Sequence, residues 1–133
     1  KVGYFPHSRY PDGTPVAGVA VVQELGSVSR NIPPRRTFGP AVEEGRGMQR
    51  AAIAATFRRA VKGTQTVEQG LDQLGMAVVG DVQEKISELT SPPLKRGTIE
   101  ARRRRGKSGK ASEKPLVDTG VLIQSVTHAV EDA

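Results

Sequence analysis

The chain has 133 residues, enough for one domain with a single core, and no cysteine, which excludes a disulfide framework, a thiolate zinc site and a cysteine nucleophile. Hydrophobic residues make up 36% and only five residues are aromatic, so the core must be built of valine, alanine, leucine and isoleucine, and association with further subunits is expected to complete it. The formal net charge of +6 gathers in residues 95–114, KRGTIEARRRRGKSGKASEK, where nine cations meet only Glu100 and Glu113, and no apolar run approaches the roughly 18 residues of a membrane span.

VGYF (2–5) is a short apolar run of strand type, and YPDGTP (10–15) supplies proline, aspartate and glycine in turn order. In TPVAGVAVVQELGS, Thr14 is expected to cap a short helix with Pro15 at its first position, with Val16, Ala20 and Val21 on one side and Gly26 as the stop. Residues 28–38, VSRNIPPRRTF, carry two prolines that force the preceding residues extended, so an edge strand or extended loop is expected. Pro40 opens the next helix, in which Val42, Met48, Ala52, Ile53, Phe57, Ala60 and Val61 are read as one apolar face.

The clearest helix follows. Thr66 and Gln69 have capping-box spacing, and Val67, Leu71, Leu74, Val78, Val82, Ile86 and Leu89 recur every three or four residues until Pro92 and Pro93 end the pattern. The basic stretch reads as a long polar connection, either without structure or with a turn of helix around Thr98 to Arg103, and SVTHAV (125–130) reads as a terminal strand.

Two stretches invite chemical readings. PLVDTGVLIQSV (115–126) contains Asp-Thr-Gly, the form in which a retroviral-type aspartic protease presents its catalytic Asp, here Asp118. Thirteen residues follow Gly120 in this sequence, too few for the strands such an enzyme places after the motif, so Asp118, Thr119 and Gly120 are expected to form a structural cap for a helical turn at VLIQS. Ser125 and His128, three apart, could share a helix face, but no acid is evident to orient the histidine. No metal-ligand spacing and no phosphate-cradling glycine loop is present, so neither cofactor nor metal is expected. In the basic run Arg102, Arg103, Arg104, Arg105, Lys107 and Lys110 are expected to act as undirected cations toward nucleic-acid phosphates or an acidic protein, since no interleaved aromatics are there to stack on bases.

YPDGTPVAGVAVVQELG, then IPPRRTF, then PLVDTGVLIQSV resemble, in order and rough spacing, the small neck and tail-completion proteins of long-tailed bacteriophages. In that family a glycine-containing turn precedes a V-A-x-x-A helix ending in E-F-G, followed by I-P-P-R-P-F, two helices and a terminal L-x-D-T-G-x-L-x-x-S. The match runs from Val2 to Ser125; Leu25 stands where the family has phenylalanine, and Arg36 and Thr37 stand where it has one proline. The resemblance implies a single α+β domain, a small antiparallel sheet with two main helices packed on it and a long basic connection, preceded by a further N-terminal segment. It implies a non-enzymatic virion protein of the head-tail junction, assembled as a ring, six-fold favoured. Its neighbours would be head-closure and tail-tube or tail-terminator proteins and packaged DNA. On this reading Ile32, Pro33, Pro34, Arg35, Phe38, Pro92, Pro93 and Leu94 are expected at the subunit interface, the alternative being that IPPRRTF is a purely internal loop. The rival classes are a basic nucleic-acid-binding protein using Arg102 to Arg105 and, more remotely, an aspartic protease.

Overall fold

In the computed structural model, which describes residues 1–105 and 112–131, an α+β fold forms from seven elements. In chain order they are β1 (Val2–Tyr4), α1 (Val16–Leu25), α2 (Phe38–Val61), α3 (Val67–Glu88), α4 (Arg96–Arg105), α5 (Val121–Gln124) and β2 (Val126–His128). The two expected strands pair with each other, antiparallel, with Val2 opposite His128 and Tyr4 opposite Val126. The pairing extends outward where Ala129 N–H donates to the Lys1 carbonyl at 2.9 Å, and the Lys1 side chain meets Glu131.

α3 is the spine. Its Thr66 hydroxyl accepts from the Gln69 amide at 3.1 Å while the Gln69 side chain accepts from the Thr66 amide at 3.0 Å, so two of the helix's orphan N–H groups are satisfied reciprocally. One stripe of the helix, Val78, Val82 and Ile86, is buried, and Val82 and Ile86 join Ala41 and Val126 in the core. Val2, Tyr4, Phe38, Val79, Leu116, Val117 and Ile123 pack around them. Each fully buried valine or isoleucine contributes about 1.5–3 kcal/mol.

Two helix glycines let neighbours approach α3. A Cβ at Gly75 would lie 2.6 Å from His128 Cγ, and one at Gly70 would lie 2.8 Å from Thr56 Cβ, so α2 and β2 sit closer to α3 than any side chain would allow.

The structure departs from sequence expectation in five places. α1 starts at Val16, with Pro15 and not Thr14 at the cap, and the Thr14 amide instead donates to Asp12 Oδ1 within the turn; Val21, expected on the packed side, is 56% exposed. α2 starts at Phe38, two residues before Pro40. Residues 28–38 form no strand: a tight turn joined by the Ser27–Ile32 bridge leads into irregular chain. The apolar face read on α2 is largely open, with Met48 79%, Phe57 55% and Val61 89% exposed, because only Ala41 and Thr56 of that helix are fully buried. The connection after Pro93 is not extended chain but the ten-residue helix α4.

Candidate functional site

The family-like motifs converge on one structural knot. Glu24, in the last turn of α1, turns its carboxylate onto the start of α2, accepting from the amides of Thr37 (2.7 Å), Phe38 (3.0 Å) and Gly39 (2.9 Å). A carboxylate at a helix N-terminus satisfies orphan donors and the positive end of the dipole together, which explains why α2 begins without a cap from its own Thr37 side chain. Gly26 ends α1 with φ 77°, and a Cβ there would lie 2.9 Å from the Ile32 carbonyl oxygen, so the chain must be glycine where it folds back on itself.

Arg35 ties the knot. It is 6% exposed, and its Nε donates to the Pro92 carbonyl (3.0 Å), one terminal nitrogen to the Pro93 carbonyl (3.1 Å) and the other to Gln23 Oε1 (3.3 Å). Residues 32–35 and 92–94, expected to face another subunit, are thereby joined to each other. Arg35 makes these bonds within the chain, and Phe38 packs on the core. Ile32, Pro33, Pro92 and Leu94 are half-buried, and Pro34 and Pro93 are exposed. Burial, together with the nearby charge of Arg102, lowers the pKa of Arg35.

The basic run divides by helical position. Arg102 is buried: one terminal nitrogen donates to the carbonyls of Ser112 (2.9 Å), Lys114 (2.9 Å) and Val117 (3.3 Å), and its Nε lies 3.6 Å from Asp118 Oδ1. It is therefore a structural clamp on the returning chain and not an undirected cation. Arg105, one turn on, donates to Asp118 Oδ2 at 2.9 Å, and Arg103 donates to Glu113 at 2.6 Å. Arg104 is exposed. Lys107 and Lys110 lie outside the described residues.

Asp118 does not cap a helix. The N-cap of α5 is Gly120 in the left-handed conformation, φ 76°, with no side-chain capping bond, and Thr119 is exposed. The Asp118 carboxylate is taken by Arg102 and Arg105 instead, because α4, longer than the turn expected around Thr98 to Arg103, brings both guanidiniums to it. Its contacts are ion pairs that tie the turn to α4. Ser125 and His128 share no helix, as Ser125 closes α5 and His128 ends β2; an acid does orient the histidine, since His128 Nε2 and Asp72 Oδ1 are 2.7 Å apart.

Between the knot, α4 and the Asp-Thr-Gly turn lies a cleft of about 670 Å³. Tyr10, Asp12, Arg35, Lys95, Arg102, Arg105 and Asp118 supply its polar wall, and Val19, Ile32, Leu94, Leu116 and Leu122 its apolar wall. Leu116 holds φ 64°, a conformation few branched residues adopt, while packed against the core. Tyr10 has its pKa raised by burial, then by the charges of Asp118 and Asp12. Four cations against two carboxylates leave the wall with a net charge of +2. The sequence signals for this cleft were present but scattered: the arginine of IPPR, the second SPPL proline pair and the basic run are 57 or more residues apart or belong to different elements.

Among the described residues no group of three histidine, aspartate or glutamate side chains is placed to hold a metal, and no helix is long and apolar enough to cross a membrane. Comparison with protein-family models, curated proteins and solved structures finds no match to this chain.

Proposed function

We propose that this chain is a structural virion protein of the phage head-tail junction, a tail-completion or neck component that works as a ring, six-fold favoured, between head-closure and tail-tube or tail-terminator proteins. The observation that carries the reading is an apolar surface left open at the tip of the α2–α3 hairpin. Ile53, Phe57 and Val61 recur every fourth residue and are 38%, 55% and 89% exposed, and Val67 and Leu71 on the facing helix are 39% and 37% exposed. Ile53 and Leu71 line one groove of about 410 Å³, so the two helices' apolar surfaces meet there. Contiguous apolar surface of this kind marks an association site.

Supporting it is the coherence of the family-like motifs. ELG, IPPR and the Asp-Thr-Gly turn each have a place in one knot of Glu24, Gly26, Arg35, Arg102 and Asp118. A heterologous contact whose rotation closes generates a ring, which is the assembly a junction requires. The test is an electron-microscopy reconstruction of tailed particles that contain the chain. The expected result is ring density at the head-tail junction with the hairpin tip against a neighbouring subunit. Particles in which the chain occupies no position at the junction would overturn the reading. So would a ring in which Phe57 and Val61 face solvent.

A further inference from the structure

Arg35 is a cation in an unusual setting. It is 6% exposed, yet each of its three acceptors is neutral: two proline carbonyls and the Gln23 amide. A guanidinium carries five N–H donors, so two of them have no acceptor among the described residues. Buried charges are ordinarily paired, because desolvation costs several kcal/mol that only an opposite charge restores. Arg102, of the same sign, lines the same cleft. Arg102 differs in having Asp118 at 3.6 Å. Lys95 and Arg105, both exposed, add further positive charge to the wall, and the cleft, at about 670 Å³, has the size of small-molecule sites.

We propose that this cleft is a binding site for a doubly charged oxyanion, held through the unoccupied donors of Arg35 with Lys95 at the wall, and that such an anion supplies the counter-charge the fold leaves out. Two unit charges would neutralise the net +2 of the wall, and the planar fork of arginine matches both phosphate and carboxylate oxygens. Two sources share this chemistry: a phosphate monoester on a small molecule, and paired carboxylates. The apolar wall of Val19, Ile32 and Leu94 would take the body that carries the group. The inference does not depend on the junction reading, since it rests on Arg35 and the cleft alone.

The test uses the whole chain with inorganic phosphate and malonate as probes, titrated against sodium chloride at matched ionic strength. The Arg35 Nε–H resonance is followed by nitrogen–proton correlation spectroscopy, and melting temperature is recorded in parallel. Saturable movement of that resonance with phosphate, malonate or both is the expected result. Phosphate alone assigns the site to phosphate esters, and malonate alone to paired carboxylates. Lys95→Gln, which removes an exposed side chain bonded only to the Asn31 carbonyl, should weaken the apparent Kd by about threefold or more. Arg58→Gln on α2, outside the cleft, should leave it unchanged. An Arg35 resonance indifferent to both probes overturns the proposal. Equal weakening by Lys95→Gln and Arg58→Gln overturns it as well, because the effect would then be general charge attraction. Neither outcome requires Arg35→Gln, a change that would break the knot itself.

Discussion

Gly75 and Gly80 lie on the same helix, five residues apart, and the structure assigns opposite signs to their replacement by alanine. Nothing stands within 4 Å of the position a Cβ would take at Gly80, so Gly80→Ala should gain the helix propensity difference, about 1 kcal/mol. For a chain of this size that is roughly 3–5 °C in Tm. At Gly75 the same methyl would lie 2.6 Å from His128 Cγ and 3.0 Å from its Cβ. Those atoms belong to the base of the side chain, so they cannot move without moving β2 or breaking the 2.7 Å contact to Asp72. Overpacking costs about 1–3 kcal/mol and the lost hydrogen bond about 1 kcal/mol. Set against the propensity gain, Gly75→Ala should destabilise by about 1–3 kcal/mol. Urea unfolding followed by circular dichroism measures both variants. The decisive step is a double-mutant cycle: with the ring removed by His128→Ala, Gly75→Ala should become neutral or stabilising. If Gly75→Ala stabilises the wild-type background, or costs the same with and without His128, the proposed close approach of α3 and β2 is wrong.

Three further expectations rest on separate contacts. Arg102→Ser should cost about 2–4 kcal/mol, because three carbonyls and Asp118 lose a buried partner, whereas Arg104→Ser should stay within about 0.5 kcal/mol; equal effects in thermal unfolding would refute the division of the basic run. Glu24→Ala should cost on the order of 2 kcal/mol by stripping three amides at the start of α2 of their acceptor, with Glu24→Gln recovering part of it, and an unchanged urea midpoint would count against the borrowed cap. Tyr4 has its pKa raised far above the ordinary tyrosine range, first by burial and then by Tyr10 and Glu24, so the unfolded chain releases that proton at lower pH than the folded one. Stability from this group is intact below about pH 10 and falls as pH rises beyond it, and Tyr4→Phe should flatten that alkaline decline in unfolding measured from pH 8 to 11.5.

How much was legible in the sequence depended on whether a signal was local. The Thr66–Gln69 box and the Val78, Val82, Ile86 stripe lie within one helix, and both read directly as α3. The strands at the two ends were visible, one as an apolar run and one by its alternation, and the α+β class came from the family resemblance. Periodicity on α2 identified an apolar face but not whether this chain covers it, since that depends on what packs against Phe57 and Val61, which among the described residues stay 55% and 89% exposed. α4 was visible only as a turn around Thr98 to Arg103, for the opposite reason. RGTIEARRRR has no apolar stripe, and the helix is held by a polar clamp, Arg102 on the carbonyls of the returning chain. Glu24 was missed because a cap is sought within the helix's own first residues, and this one comes from 13 to 15 residues earlier. The cleft required Arg35, Lys95 and Asp118 together, and no spacing in the sequence joins them.

The Asp-Thr-Gly turn and the arginine run, read separately, each pointed to a chemistry that their meeting alters. Arg102 and Arg105 are three apart on α4, which places both on one helical face, and Asp118 is the carboxylate that face meets. An aspartic protease sets a second carboxylate close enough to share the proton of the first. Asp118 instead has two guanidiniums, which hold the turn against the helix. The same pairing reduces what the run offers outward: Arg102 and Arg105 are committed to Asp118 and Arg103 to Glu113, so of the four consecutive arginines Arg104 is the one with no acidic partner among the described residues. A partner surface attracted to this region therefore meets less than the run's formal charge, while the cleft wall carries a net charge of +2 and the side-chain bonds of Arg35 there go to neutral acceptors.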